Sequence, residues 1–239
     1  MPQSPLLLPA RNPSEWTGPT GNNTWLLRGK VPALIDAGTG DADHVASIER
    51  ALDGRPLAVV FITHGHPDHA GGLPALRARW PALRVVDAAM DPQPAGDTLL
   101  EIVPTPGHAP DHLCFFDAPS GDLYCGDLAR RGGSIVIPAR KGGNLRDYLA
   151  SLHRVRALAP RRLLPGHGPV VDDPIALIDD YLAHRAARER QIVDAIADGA
   201  RPPEEIVARV YAGLSEGLRR AAIETVEAHL QKLEEEGRR

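Results

Sequence analysis

The run Leu57-Ala58-Val59-Val60-Phe61-Ile62-Thr63 constrains this chain more than any other stretch. It is apolar or β-branched almost throughout and lacks the alternation of a half-solvated strand, so it reads as a strand buried on both faces. It leads directly into His64-Gly65-His66-Pro67-Asp68-His69, three imidazoles and a carboxylate within six residues. Imidazole and carboxylate are the usual ligands of zinc and similar first-row ions. Gly65, Pro67 and the following Gly71-Gly72 are turn residues able to fold the segment around an ion. A solvated surface loop is the plain alternative for clustered histidines. Repetition of the pattern elsewhere argues against it.

His108 lies in Pro104-Thr105-Pro106-Gly107-His108, just past an expected strand at 98–103. Asp127 lies in Tyr124-Cys125-Gly126-Asp127, past a strand at 122–125, and His167 in Leu164-Pro165-Gly166-His167-Gly168, past a strand at 161–164. Each follows a Gly, which permits close backbone approach and unusual φ. Five of the ten histidines and two aspartates therefore fall at strand-to-loop transitions, enough for two adjacent metal positions.

Further strands are expected at 24–27, 33–35, 84–87 and 112–117, the last joined to 122–125 through the turn-forming Ala118-Pro119-Ser120-Gly121. Apolar spacing of three and four predicts helices over 42–52, 73–80 and 145–158. After Pro174 the character changes: a long amphipathic helix spans 175–197, and two more follow over 203–211 and 218–236. The division expected is a catalytic α/β domain over 1–173 and a small all-α domain over 174–239.

The chain's 239 residues are 43% hydrophobic, sufficient for a real core. No window approaches the roughly 18 consecutive apolar residues of a membrane-spanning helix, and the start, MPQSPLLLPARNP, lacks a basic signal-peptide n-region. A cytoplasmic protein with no membrane partner is expected. A net charge of −4 argues against global nucleic-acid binding. Neither a GxSxG nucleophile elbow nor a phosphate-binding GxxxxGK[ST] is present, and Gly38-Thr39-Gly40 reads as a turn. Cys114 and Cys125, both in strands, read as buried structural thiols.

HGHPDH, TPGH, CGD and PGHG, in this order and spacing, resemble the metallo-β-lactamase superfamily of binuclear metallohydrolases. The resemblance runs from about Asn12 to Asp173 and implies an αββα sandwich with metals at one edge. It implies that His64, His66 and His108 hold a first divalent ion, that Asp68, His69 and His167 hold a second, and that Asp127 bridges them. Asp36, in Leu34-Ile35-Asp36-Ala37-Gly38, matches an early Asp that supports the ligands from behind. Zinc is the expected metal, with iron or manganese as alternatives. A metal-bridging hydroxide would attack the substrate, with Asp68 and Asp127 as catalytic groups holding it and moving its proton. Gly21-Asn22-Asn23-Thr24-Trp25-Leu26 and the tail, with Tyr181-Leu182-Ala183-His184-Arg185, resemble the β-lactamase-like protein 2 endoribonuclease subgroup, which adds a winged-helix-like domain. The sequence ends at Gly237-Arg238-Arg239, where a β wing would begin.

The substrate expected is a small ester, thioester, lactone or relative, and an anionic one. Arg130, Arg131, Arg140 and Lys141 lie on a Gly-rich loop that follows Asp127. Tyr181, His184 and Arg188 on the long helix, and Asn23, complete the candidate contacts. The alternative is a single-stranded RNA endoribonuclease; β-lactam hydrolysis as a side activity and non-enzymatic metal binding rank lower. The oligomeric expectation is a monomer or homodimer.

Overall fold

The structure is a computed structural model and describes residues 4–14, 17–88 and 90–238. Along β4 (Val59–Phe61), period-two alternation sends Val59 and Phe61 to one face and Val60 to the other, and all three are fully buried. Val59 and Phe61 pack in the core between two sheets; Val60 packs in the core beneath helices. The strand is thus covered on both sides, as its unbroken apolar run requires.

The first sheet has the order β1 (Leu6–Pro9), β2 (Asn23–Leu27), β3 (Ala33–Ile35), β4, β5 (Arg84–Val86), antiparallel up to β3 and parallel from β3 to β5. The second runs β10 (Arg162–Pro165), β9 (Asp122–Gly126), β8 (Leu113–Asp117), β7 (Thr98–Pro104), β6 (Gln93–Ala95), with only β10 and β9 parallel neighbours. Between the sheets Phe61 meets Phe115 edge-on, ring centroids 5.1 Å apart. Helices α1 (Ala42–Leu52) and α3 (Leu73–Arg79) cover the outer face of the first sheet through Ile48, Leu52 and Leu76. Helix α4 (Leu145–Leu158) covers the second through Leu145, Tyr148, Leu152 and Val155. This is the αββα sandwich. Its α5 (Pro174–Ala197) joins the second sheet's outer core through Ile178 and Tyr181. Its later residues Ile192 and Ala195 join a separate cluster with α6 (Pro203–Val210) and α7 (Glu216–Glu235).

Three differences from the sequence reading have simple causes. The strand ends at Phe61 rather than Thr63: the Ile62 N–H still reaches the Val86 carbonyl (2.9 Å), but the Thr63 N–H donates to the Asp36 carboxylate (2.8 Å) instead of to a neighbouring strand. Strands β1 and β6 were not expected; both contain Pro and lie at sheet edges, where a missing N–H is tolerated. The His-rich segment, read as a turn, contains a one-turn helix α2 (Pro67–Ala70) opened by Pro67 at its first position. Cys114 and Cys125 are buried, free thiols; burial pushes Cys114 up to about 12 and Cys125 well above the ordinary range. Among the described residues no helix is long and apolar enough to cross a membrane.

Candidate metal centre

Five strands deliver the site. Asp36 follows β3, His64 follows β4, His108 follows β7, Asp127 follows β9 and His167 follows β10. All five strands end at one edge of the sandwich, where three donor sets converge: His64, His66 and His108; His64, His69 and Asp127; and Asp68, His69 and His167. Within each set every donor atom lies within 4.8 Å of the others. The glycines before two of these residues have a steric reason. A Cβ on Gly126, at φ +47°, would meet Thr63 Cβ at 2.7 Å and His112 Nε2 at 2.9 Å. One on Gly166 would meet His69 Cε1 at 2.6 Å.

Hydrogen bonding fixes which ring nitrogens carry lone pairs. His108 Nδ1 lies 2.7 Å from the Val136 carbonyl, which can only accept, so Nδ1 holds the proton and Nε2 is left bare. Thr63 Oγ1 gives its one hydrogen to Asp36 (3.0 Å) and accepts from His64 Nδ1 (3.0 Å), so His64 Nε2 is also bare. Both bare nitrogens face His66 Nδ1, at 2.9 and 3.1 Å. A single proton there can satisfy one of them, and the other is left against a lone pair. A cation resolves that conflict. His69 tells the same story: Nδ1 donates to Asp36 Oδ2 (2.7 Å), while buried Nε2 has no hydrogen-bond partner and faces Asp68 at 3.4 Å and Asp127 at 3.6 Å.

The carboxylates give the cluster its charge. Burial disfavours a charged His69, yet Asp36, Asp127 and Asp68 raise it to about 10. Burial likewise opposes His167, and hydrogen bonds to Asp127 and Asp68 lift it to about 9. Asp127 stays well below the usual carboxylate range against its burial, through His69, His167 and His108. His64 is driven well below the ordinary imidazole value, first by burial and then by His69 and His112. Buried carboxylates that hold protons on two imidazoles describe a pocket built for positive charge. The residues present fit divalent metal.

The profile described as the metallo-beta-lactamase superfamily matches residues 17–93 and 91–167. The chain belongs to the metallo-β-lactamase superfamily. A second profile, the beta-lactamase associated winged helix domain, matches residues 203–238, in accord with the winged-helix-like appendage. The chain is 31% identical over 261 residues to the beta-lactamase-like protein 2 homolog of Drosophila melanogaster, covering 95% of this chain and 86% of that protein. It is 35% identical over 191 residues to thioesterase pkgB of Emericella nidulans, covering 74% of this chain and 54% of that one. It is 28% identical over 224 residues to an atrochrysone carboxyl ACP thioesterase of Aspergillus fumigatus, at 81% and 69% coverage. In fold it resembles a crystal structure of a beta-lactamase domain protein from Burkholderia ambifaria, with a TM-score of 0.80 at 23% identity over 98% of this chain and 86% of that one. The expected fold and the coarse expectation of a hydrolase both stand with the superfamily.

A cavity of about 410 Å³ opens over the metallo-β-lactamase cluster, lined in part by His66, Asp68, His108, Asp127 and His167. Of the expected substrate contacts, Arg130 and Lys141 line it. The others do not line this cavity. Asn23 is buried, and its amide donates to the Pro165 and Gly168 carbonyls (2.9 and 2.8 Å), fixing the loop that carries His167. Tyr181 is buried too; its hydroxyl accepts from Arg130 N (3.3 Å) and lies 3.0 and 3.1 Å from the Arg130 and Gly133 carbonyls. Arg140 pairs with Glu227 on α7, Arg131 is exposed away from the cavity lining, and His184 lines a separate hollow beside Gly132 and Gly133. Arg188 donates to the Val210 carbonyl (3.2 Å) and stacks on Tyr211 at 4.0 Å, within the helical tail. Long side chains on the surface of a helix follow their local acceptors, which sequence spacing does not reveal.

The sequence reading missed His112 and Asp111. His112 Nε2 accepts from the Asp127 N–H (3.1 Å), so Nδ1 holds the proton and donates to Thr105 Oγ1 (2.8 Å). Burial lowers His112 to about 3, which keeps it the neutral acceptor this role needs. Asp111 Oδ2 accepts from the Gly65 N–H at 2.9 Å. A signal was present: Pro110-Asp111-His112 repeats Pro67-Asp68-His69. Arg185, in the Tyr181–Arg185 stretch of the long helix, takes a buried place. Fully buried, it donates to the Ile135 carbonyl, next to the Val136 carbonyl that orients His108. Replacing His112 with Phe keeps the ring volume but removes the acceptor for Asp127. Metal affinity, read by competition with a chelating dye, should fall by about 10- to 100-fold, the usual effect of losing a partner behind a ligand.

Proposed function

We propose that this chain is a zinc hydrolase of acyl thioesters, with His64, His66 and His108 around one ion, Asp68, His69 and His167 around a second, and Asp127 shared. The observation that carries the shared role is that the two Asp127 oxygens face different sets. Oδ1 lies 3.6 Å from His69 and 3.3 Å from His167, and Oδ2 lies 3.6 Å from His108. When bound, such ions acidify a water toward neutral pH and polarise a substrate carbonyl. The chain's own residues do the rest. Asp68, on the cavity wall and 3.3 Å from His167 Nε2, takes the proton of the water attacking the carbonyl and returns it to the leaving sulfur. Asp127, held by His112, keeps its carboxylate between the two sets. Arg130 and Lys141 at the cavity edge favour an anionic substrate. The thioester is chosen over other acyl groups because two relatives bear the name thioesterase.

RNA cleavage is the weaker reading. Among the described residues no Phe, Tyr or Trp lines the cavity, whereas single-strand binders stack bases on such side chains. The test is steady-state hydrolysis of a neutral thioester, an acyl-coenzyme A, a lactone, a phosphodiester and single-stranded RNA by the metal-loaded chain. The thioesters should lead in kcat/KM by about 100-fold, on the order of 3 kcal/mol in the barrier. Faster turnover of RNA or lactone would overturn the reading.

A further inference from the structure

The central cavity is not closed by the sandwich alone. Helix α7 supplies Arg220 and Glu224 to its wall, opposite Pro138 and Lys141. The same four residues also line a second cavity of about 420 Å³, completed by Arg140, Glu204, Arg219, Ile223 and Glu227. The two hollows therefore adjoin, sharing a wall made by Pro138, Lys141 and the α7 residues Arg220 and Glu224.

Charge within the second cavity is unevenly paired. Arg140 is engaged by Glu227, and Arg220 by Glu224 at 3.6 Å, one helical turn on. Lys141 and Arg219 have no ion-pair partner among the described residues, and Glu204, on the first turn of α6, is the one acid in the lining without one. Pro138 and Ile223 add apolar surface. Two free cations beside an apolar passage suit a chain that ends in a phosphate, whose charge of nearly two matches them better than a single carboxylate would.

We infer that the second cavity is the seat of a phosphate carried on the thiol side of the substrate, gripped by Lys141 and Arg219 while the thioester lies at the His–Asp cluster. The inference rests on the thioester reading above. It makes the helical tail part of the substrate site, with Arg219 as a specificity-determining residue. The phosphate fitted by this charge is the monoester of a free phosphorylated thiol; on a carrier protein the same phosphate is a diester with one charge, which two cations would hold less tightly.

The experiment compares the metal-loaded full chain on a matched pair, S-acetyl-pantetheine and S-acetyl-4′-phosphopantetheine, which differ only in the phosphate. Wild type should show a KM about 25-fold lower for the phosphorylated member, or about five-fold per cation, the upper end for exposed ion pairs. In Lys141→Ala/Arg219→Ala that ratio should fall to near one. Glu204→Gln should raise it, an increase that loss of structural support would not produce. An acetylated carrier protein measured beside the free thioester assigns the source by whichever has the lower KM. A ratio near one in wild type, or one unmoved by the double substitution, overturns the inference. Should neither thioester be hydrolysed, the thioester reading fails, and the seat is then judged by calorimetric titration with 4′-phosphopantetheine. Binding that weakens in the double variant retains the seat, and equal or absent binding removes it.

Discussion

Asp127→Ala is expected to reduce turnover by about 10³-fold on every substrate the chain accepts, on the order of losing a group that acts at the reacting centre. The same variant should melt cooperatively, because the Asp127 side chain belongs to the cluster rather than to the apolar cores, and its backbone N–H stays on His112. Asp127→Asn separates charge from shape. It keeps the size and one acceptor oxygen but removes the negative charge that holds positive charge near His69 and His167. Asn should therefore behave nearly as badly as Ala if charge matters most. Circular dichroism and steady-state rates on the same preparations check both points. Turnover close to wild type in either variant would remove Asp127 from the centre of the mechanism.

The parts of this molecule that were legible in the sequence are those where one residue's surroundings are set by its own neighbours. β4 could be read because Val59, Val60 and Phe61 are all apolar, and only a strand covered on both faces satisfies that. The cluster could be read because Gly-His and Gly-Asp pairs recur where strands end. Those glycines mark places such as Gly126 and Gly166 where no Cβ fits. The places of Arg188 and Arg140 were not legible for the opposite reason. Each has a long side chain whose partner, the Val210 carbonyl in one case and Glu227 in the other, lies on another helix. His112 was passed over because its strand looks merely apolar, and only the fold brings the Asp127 N–H onto its ring. Contacts across the sandwich depend on topology, and local pattern carries little of it.

Metal removal is expected to have the other large effect. The cluster gathers Asp36, Asp68 and Asp127 around buried histidines, and their mutual repulsion is relieved by protons or by cations. An ion that binds only the folded chain adds stability of about 4 kcal/mol per site when its concentration is 1,000 times the dissociation constant. For a chain of this size about 1 kcal/mol moves Tm by roughly 2–4 °C, so chelation should lower Tm by on the order of 10 °C or more. Zinc should restore it. Elemental analysis of protein purified without chelator should approach two ions per chain. Because His66 belongs to one donor set and His167 to another, His66→Ala and His167→Ala should each cost one ion while leaving the other. If His66→Ala released both ions, the two sets would be bound as one unit through Asp127. If wild type held a single ion at saturating zinc, the shared role of Asp127 would fall, and the donors of the two sets would have to serve one metal and the proton transfers around it.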